Sequence, residues 1–508
     1  MINNAFPEKI NVKSRGKNNP NSNDNYVKFQ WTGHPFVDAG LAAILIYVEK
    51  ENPEDLITED IERMIEFTSK LYVGDEWSRY LTRIYRNNNP ILMLNPSMKR
   101  DKTSEKLKTS LIGLFNLSNS KAENTKCQIC GKNMKISGLE LRELLHTKSV
   151  SKPKEITGDI FPLLSSGELR NFFPLGNPMG ADICAQCLFL SQLMPIGSYA
   201  IQNKKGTVMG VLSVSSYPYD HMIEIIKEAV ENSRYQNLFS NSRDFKRPEN
   251  FFFRKIVEIT RKIEIGRGFW KNTVVTLYYF LNGNRGGEQR IRILNIPTSA
   301  LNFVAFAAEI DYDGWKNILN MGWFIKNDLK DNKSFKDLEK GYSNKIYEKL
   351  LNEESILNFF SNSRKKKVNA KWRLLEFYCL EVLDLDQNAL DFIKDVGDRI
   401  VGTIEPLKDN KLRKTVRELE NSKRLYQFEN FFIRLEKIRQ TEGLPDALLS
   451  FDEFSRLLTQ YGEEINFSWH AVKNLLLFRI YEKLHNRLIK EDLNELKETD
   501  DEIPFGGD

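Results

Sequence analysis

Two Cys-x-x-Cys units, Cys127 with Cys130 and Cys184 with Cys187, stand 53 residues apart in a chain of 508. A turn of this kind delivers two thiolates to one metal while its backbone amides stabilise their charge, so two turns supply the four sulfurs of a closed tetrahedral site. The fold must therefore bring two distant segments together, with residues 131–183 as an insert tied at its base. Gly131 directly follows the first pair, as a metal knuckle requires. The insert is rich in loop signals (SVSKP at 149–153, FPLLSSG at 161–167, LGNPMG at 175–180), and a metal clasp would compensate for a poor local core. The expected ion is a structural Zn2+. A redox dithiol or an iron–sulfur cluster is the alternative, and the redox reading leaves the second pair unexplained. Sulfur in all four places and no histidine close to either pair argue against an open catalytic position.

Five cysteines in so long a chain do not make a disulfide scaffold. The fifth, Cys379, falls on the apolar face of a helical segment at 373–383 and reads as packing. With 41% hydrophobic and 28% charged residues the chain is a soluble globular protein, long enough for about three domains. The chain opens on no secretory pattern, and the longest apolar run, 41–48, is too short to cross a membrane, so the expected location is cytoplasmic. Net charge is +5 but unevenly placed: residues 199–295 hold 16 Lys/Arg against nine Asp/Glu, and the last 18 residues hold eight acids and one lysine. That asymmetry suits an anionic partner on some faces.

The expected fold class is α+β: a mixed N-terminal domain carrying the zinc insert, then a helical bundle. Residues 1–25 are Asn-rich and read as a loop or arm. The run WTGHPFVDAG at 31–40 opens a buried helix with Pro35 at its first position, and 61–71 has the spacing of an amphipathic helix. Strand candidates are 207–214, 272–280 and 290–296, an antiparallel sheet with a hairpin, interrupted by a helix over 221–230 that Asp220 would cap. Beyond residue 300 the pattern is helical over 334–360, 369–384, 388–401, 411–439, 450–461 and 466–494, with the basic segment 361–367 in a connection. The expected units are 1–120 and 196–320, which together form the core, the insert 121–195, and the bundle 321–508.

For catalysis, His34 and Asp38 stand four apart and could share one helix face as an acid–base pair, although polar groups at the start of a buried helix more often serve structure. His146, His221, His470 and His485 form no ligand cluster in sequence. No phosphate-binding loop, zinc-protease or serine-hydrolase motif occurs. The loops have the composition a phosphate backbone selects: Lys204 and Lys205 before one strand, Arg267 before another, and Asn284, Arg285 and Arg290 around the hairpin, with Asn284 or Arg285 able to reach a base edge. In the helical part Arg364, Lys365, Lys366 and Lys367, then Lys411, Arg413, Lys414 and Arg417, could line a strand-binding groove. Each of these is equally compatible with a solvated surface.

The run WTGHPFVDAG followed by Cys127-Gln-Ile-Cys130 and Cys184-Ala-Gln-Cys187 resembles the CXXC-CXXC family of CRISPR-associated proteins, the large subunit of type I-B Cascade. The likeness spans the opening motif and the insert, and the helical C-terminal part fits by character. It implies a non-catalytic, RNA-guided DNA-binding subunit. Such a subunit examines duplex for the protospacer-adjacent motif, aids duplex opening and R-loop stabilisation, and recruits a separate helicase-nuclease. Implied partners are the guide RNA with its handle-capping subunit, the Cascade backbone and small subunits, target duplex and displaced strand, and no membrane. The C-terminal bundle would resemble the small subunit and could begin near Met321. Base pairing carries sequence discrimination in such complexes, so the protein reads only a few base pairs and supplies backbone contacts. A metal-dependent nuclease using His34 and Asp38, or a purely structural adaptor, is the rival expectation.

Overall fold

The computed structural model describes residues 26–85, 89–94, 103–117, 126–133, 156, 158–164, 181–203, 205–235, 244–262, 268–282, 290–325, 332–459 and 468–489. The arm at 1–25, most of the cysteine insert and the acidic tail lie outside them. The class is mixed helix and sheet, as expected. Helices α1 (Pro35–Val48), α2 (Thr58–Tyr72), α3 (Asp75–Leu81), α4 (Ser104–Leu117) and α5 (Ala185–Leu193) precede a sheet. Its strands are β1 (Tyr199–Gln202), β2 (Val208–Tyr217), β3 (Val274–Leu281) and β4 (Arg290–Ile296), antiparallel throughout in the order β1-β2-β3-β4. Helices α6 (Tyr219–Arg234) and α7 (Pro248–Thr260) lie between β2 and β3 in sequence.

Helix α1 is buried at every residue from Phe36 to Leu45, because α2, α5, α6 and β2 all pack on it. A helix apolar all round needs such enclosure. Its approach to α5 is so close that a Cβ at Gly40 would run into the Leu190 carbonyl. Helix α5 is in turn gripped at its far end: Tyr72 Oη donates to Gln192 O at 2.9 Å, Tyr80 Oη to Pro195 O at 3.4 Å, and Tyr85 Oη to Ser191 O. Three buried hydroxyls thus hold carbonyls of the last turn of α5 and of Pro195 just beyond it.

From Thr298 on, the described residues are mostly helical, in α8 (Thr298–Ile310), α9 (Tyr312–Met321), α10 (Phe335–Gly341), α11 (Lys345–Leu351), α12 (Trp372–Glu381), α13 (Gln387–Ile404), α14 (Asp409–Glu420), α15 (Leu425–Thr441), α16 (Phe451–Thr459) and α17 (Trp469–Ile489). Helix α17 runs along α13 and also touches α14 and α16. Buried apolar side chains from Val27 to Leu488 join in one cluster.

Several expectations need correction. Asp220 does not cap α6: Pro218 holds that position and Asp220 lies in the first turn. The segment 334–360 is broken, because Asn344 turns inward, its Oδ1 accepting from Ile346 N at 2.8 Å and its Nδ2 donating to Leu319 O at 2.9 Å. The segment 411–439 breaks where Gln427 Oε1 accepts from the backbone N–H of Lys423 and Arg424 at 2.8 and 3.0 Å, a cap that starts α15. The basic connection at 361–367 holds a small hairpin, β5 (Ser361–Asn362) with β6 (Lys367–Val368), packed on α17. Helix α7, with Pro248 at its start and Phe251, Phe252 and Phe253 buried, carried a readable signal that the strand-centred reading of 199–295 passed over.

Candidate metal centre and basic groove

The two cysteine turns do meet. One ligand atom from each of Cys127, Cys130, Cys184 and Cys187 lies within 4.8 Å of all the others. Cys127 Sγ is 3.9 Å from Cys187 Sγ, and Cys130 Sγ is 3.6 Å from Cys184 Sγ. A tetrahedral ion with metal–sulfur bonds of about 2.3 Å has sulfur–sulfur edges of about 3.8 Å, so the donor set fits a metal ion. None of the four is in a disulfide.

Local backbone chemistry sets each sulfur. Gly131 adopts φ 72°, closing the first knuckle with its N–H on Cys127 O at 2.9 Å. Gln128 N donates to Asp182 O at 2.8 Å, joining the two turns directly. Cys184 caps α5, its Sγ accepting from Cys187 N at 3.4 Å, while Cys184 N donates to Cys127 Sγ at 3.3 Å. The N-terminal end of a helix favours thiolate charge there. Hydrogen bonds from Cys130, Cys184 and Cys187 hold the Cys127 thiol far below the usual range, and the bond to Cys127 pushes Cys184 and Cys187 up. Four sulfurs this close cannot all ionise without a cation to share. Lys132 braces the knuckle, its Nζ donating to Gln186 Oε1 at 2.8 Å and Lys28 O at 3.2 Å.

His34 and Asp38 serve the turn before α1. Asp38, 1% exposed, accepts from Thr32 N, Thr32 Oγ1 and Gly33 N, each at 2.8 Å. Burial pushes its carboxyl up and these donors pull it back. His34 Nδ1 accepts from Phe36 N at 3.3 Å, which leaves the proton on Nε2. Burial holds its imidazole down at about 4. Trp31 stacks on Tyr219, ring centroids 4.3 Å apart. The opening motif is thus a rigid start for the central helix. Among the described residues, no other group of His, Cys, Asp or Glu than the four cysteines is placed to hold a metal.

The basic candidates divide. Lys204, Arg267, Asn284 and Arg285 lie outside the described residues. Lys205 is exposed on a turn fixed by Asn203 Oδ1, which accepts from Lys205 N at 2.9 Å and Thr207 N at 3.0 Å. Arg290 is exposed at the start of β4 and lines a groove of about 530 Å³ at one end of the sheet. The same groove gathers Arg83, Lys246, Arg247 and Arg292 around Tyr279 and Met209. Register explains part of this: Arg292 faces Tyr279 and Arg290 faces Leu281 across β3–β4, so both arginines share one face. Burial pushes the Tyr279 phenol up, Glu249 adds to this, and Arg247, Arg290 and Arg292 oppose it. Glu249 engages Arg292 at 3.1 Å. Among the described residues Arg83, Lys246, Arg247 and Arg290 have no ion-pair partner. Of the groove cations only Arg290 was a candidate from sequence. Arg292 was readable from the two-residue period of β4, and Arg83 reaches the groove through tertiary folding alone.

In the helical part the candidates do not form one surface. Arg364 and Lys365 are exposed on the β5–β6 turn, and Lys367 is half-buried in β6. Lys366 Nζ binds Glu420 at 2.6 Å; Tyr481 Oη donates to the same carboxylate at 2.6 Å, and His485 Nδ1 meets Lys366 O at 2.7 Å. Lys411 pairs with Glu442 at 3.2 Å, and the Arg413 guanidinium donates to Arg487 O at 3.3 Å. Lys414 and Arg417 are exposed on α14. Cys379 is fully buried, as expected of a packing residue. Among the described residues no helix is long and apolar enough to cross a membrane. Comparisons with family models, with curated proteins and with solved structures find no match to this chain.

Proposed function

We propose that the chain is a non-catalytic nucleic-acid-binding subunit, the large subunit of a type I-B Cascade-like complex, and that the groove beside β4 contacts the target duplex. The observation that carries this reading is the set of cations without an ion-pair partner among the described residues, Arg83, Lys246, Arg247 and Arg290, around Tyr279 in one concave site. A phosphate backbone asks for cations without internal partners, and an aromatic ring among them offers a base or sugar a flat surface. Lys204 and Lys205 precede β2 in sequence and Asn284 and Arg285 fall between β3 and β4, so the residues proposed to read a short motif adjoin the strands that carry the groove. Guide RNA, handle-capping and backbone subunits supply the remaining contacts in this reading, which suits a net charge of only +5. The four cysteines hold a structural Zn2+ that pins the insert to α5, and the protein works in a prokaryotic cytoplasm.

The test is duplex affinity of the assembled complex with Arg247→Glu and Arg290→Glu combined. Affinity should fall about tenfold or more at low salt, and the slope of log K against log salt should become shallower by roughly 2. Unchanged affinity and slope, with melting as in the parent, would overturn the assignment of the groove.

A further inference from the structure

The turn at 268–271 and helices α7, α8 and α12 line a second cavity of about 280 Å³. Its walls are aromatic. Phe306 and Phe377 stack with centroids 3.8 Å apart and planes 6° apart, and Phe269 meets Trp270 edge to face at 4.9 Å. Trp270 is fixed by its indole N–H, which donates to Thr260 Oγ1 at 2.8 Å. Phe269, Phe306 and Phe377 are only half-buried, so ring surface is left for a ligand. The volume falls just below the usual range for small-molecule pockets, roughly 300–1,000 Å³, and suits one ring system.

Polar groups narrow the choice. The half-buried Asn302 amide lines the cavity, and among the described residues it has no hydrogen-bond partner. Lys271 and Arg373 stand exposed on the lining without ion pairs among the described residues, and Glu309 and Glu381 share that lining. Two cations balanced by two carboxylates accept one phosphate and oppose a chain of them.

We propose that this pocket binds one unstacked adenine nucleotide. The base lies against the aromatic wall, its amino-bearing edge pairs with the Asn302 amide, and its single phosphate meets Arg373 and Lys271. Stacking tolerates any base; adenine offers an amide a matching donor–acceptor pair at two edges, N6 with N1 and N6 with N7, where cytosine offers one. The ligand is either free AMP or an adenine within a single strand. No groove residue takes part, so this proposal stands or falls apart from the duplex assignment.

The experiment is calorimetric titration of the full chain with AMP, ATP, CMP and an eight-nucleotide single strand carrying one adenine, against the same strand with that base removed. AMP should bind at least about fivefold more tightly than CMP or ATP, and Asn302→Leu should erase the preference over CMP. Arg373→Glu should weaken AMP about tenfold, with Lys271→Glu as the second variant if the first melts early. Competition by the adenine strand, but not by the abasic one, identifies a strand as the source; AMP binding without it identifies the free nucleotide. The proposal is overturned if neither AMP nor the adenine strand binds at millimolar concentration, or if AMP binds equally to folded Asn302 and Arg373 or Lys271 variants.

Discussion

The sheet and the helical region carry the same kind of basic sequence and use it differently. Beside β4, Arg83, Lys246, Arg247 and Arg290 converge on one concavity and have no ion-pair partner among the described residues. Around α14 and α17 the basic sequence is divided: Lys366 neutralises Glu420, Lys411 meets Glu442 and Arg413 closes a helix end at Arg487 O, while Arg364, Lys365, Lys414 and Arg417 stay exposed. A cluster of lysines and arginines in a sequence records only the presence of charge. The fold decides whether that charge is spent internally, and the test is whether each cation has a carboxylate within reach.

The largest effect should come from the cysteine centre, on which the position of α5 and so of the sheet depends. Cys127→Ser or Cys184→Ser should abolish stoichiometric metal, measured by elemental analysis, and remove the cooperative melting transition of the first region. Retention of both would break the premise that the sheet is pinned by metal. The next effect separates the two kinds of cation. Lys366→Ala leaves Glu420 half-stranded and should cost about 2–3 kcal/mol in denaturant unfolding, while duplex affinity stays within about twofold. A variant that kept stability and lost affinity would move Lys366 to the outward-facing class.

The smallest effect lies at the joint between the regions, where Asn250 Nδ2 donates to Glu339 O at 2.7 Å and Tyr342 O at 2.8 Å. Burial raises the Glu339 carboxyl to about 7, with Arg254 at 3.3 Å opposing the rise. The folded chain therefore holds this proton up to about pH 7, while the unfolded chain gives it up near the ordinary 4.5. Stability from this group is fully present below that lower value and is lost as pH rises through the upper one. Glu339→Gln should flatten the fall in melting temperature between pH 5 and 7, and an unaltered slope would remove Glu339 from the account.

What the sequence made legible follows from the range of each interaction. The cysteine pairs were readable because two short turns each announce half of a site, and the start of α1 because Pro35 fixes a local conformation. Strands β2, β3 and β4 were readable from β-branched and aromatic enrichment, and the four-residue β1 was not. The break at Asn344 depends on Leu319 O, a partner far along the chain, and no local pattern shows it. Arg83 joins the groove only through the packing that sets its segment beside β3: Asn282 N donates to Arg83 O at 2.9 Å. The four-residue spacing of His34 and Asp38 gave no sign that Thr32 and Gly33 occupy both Asp38 carboxylate oxygens.

Helix α5 is fastened at both ends, by the cysteine knot at its start and by three tyrosine hydroxyls at its finish. A rod of nine residues, about 14 Å long, held this way has neither slide nor roll left to it. The strand β1 that follows sets out from a surveyed point, and at its other end Gln202 O accepts from Asp244 N at 2.9 Å, just ahead of Lys246 and Arg247. The basic groove is thus referenced, through a few short struts, to the position of the four-cysteine cluster.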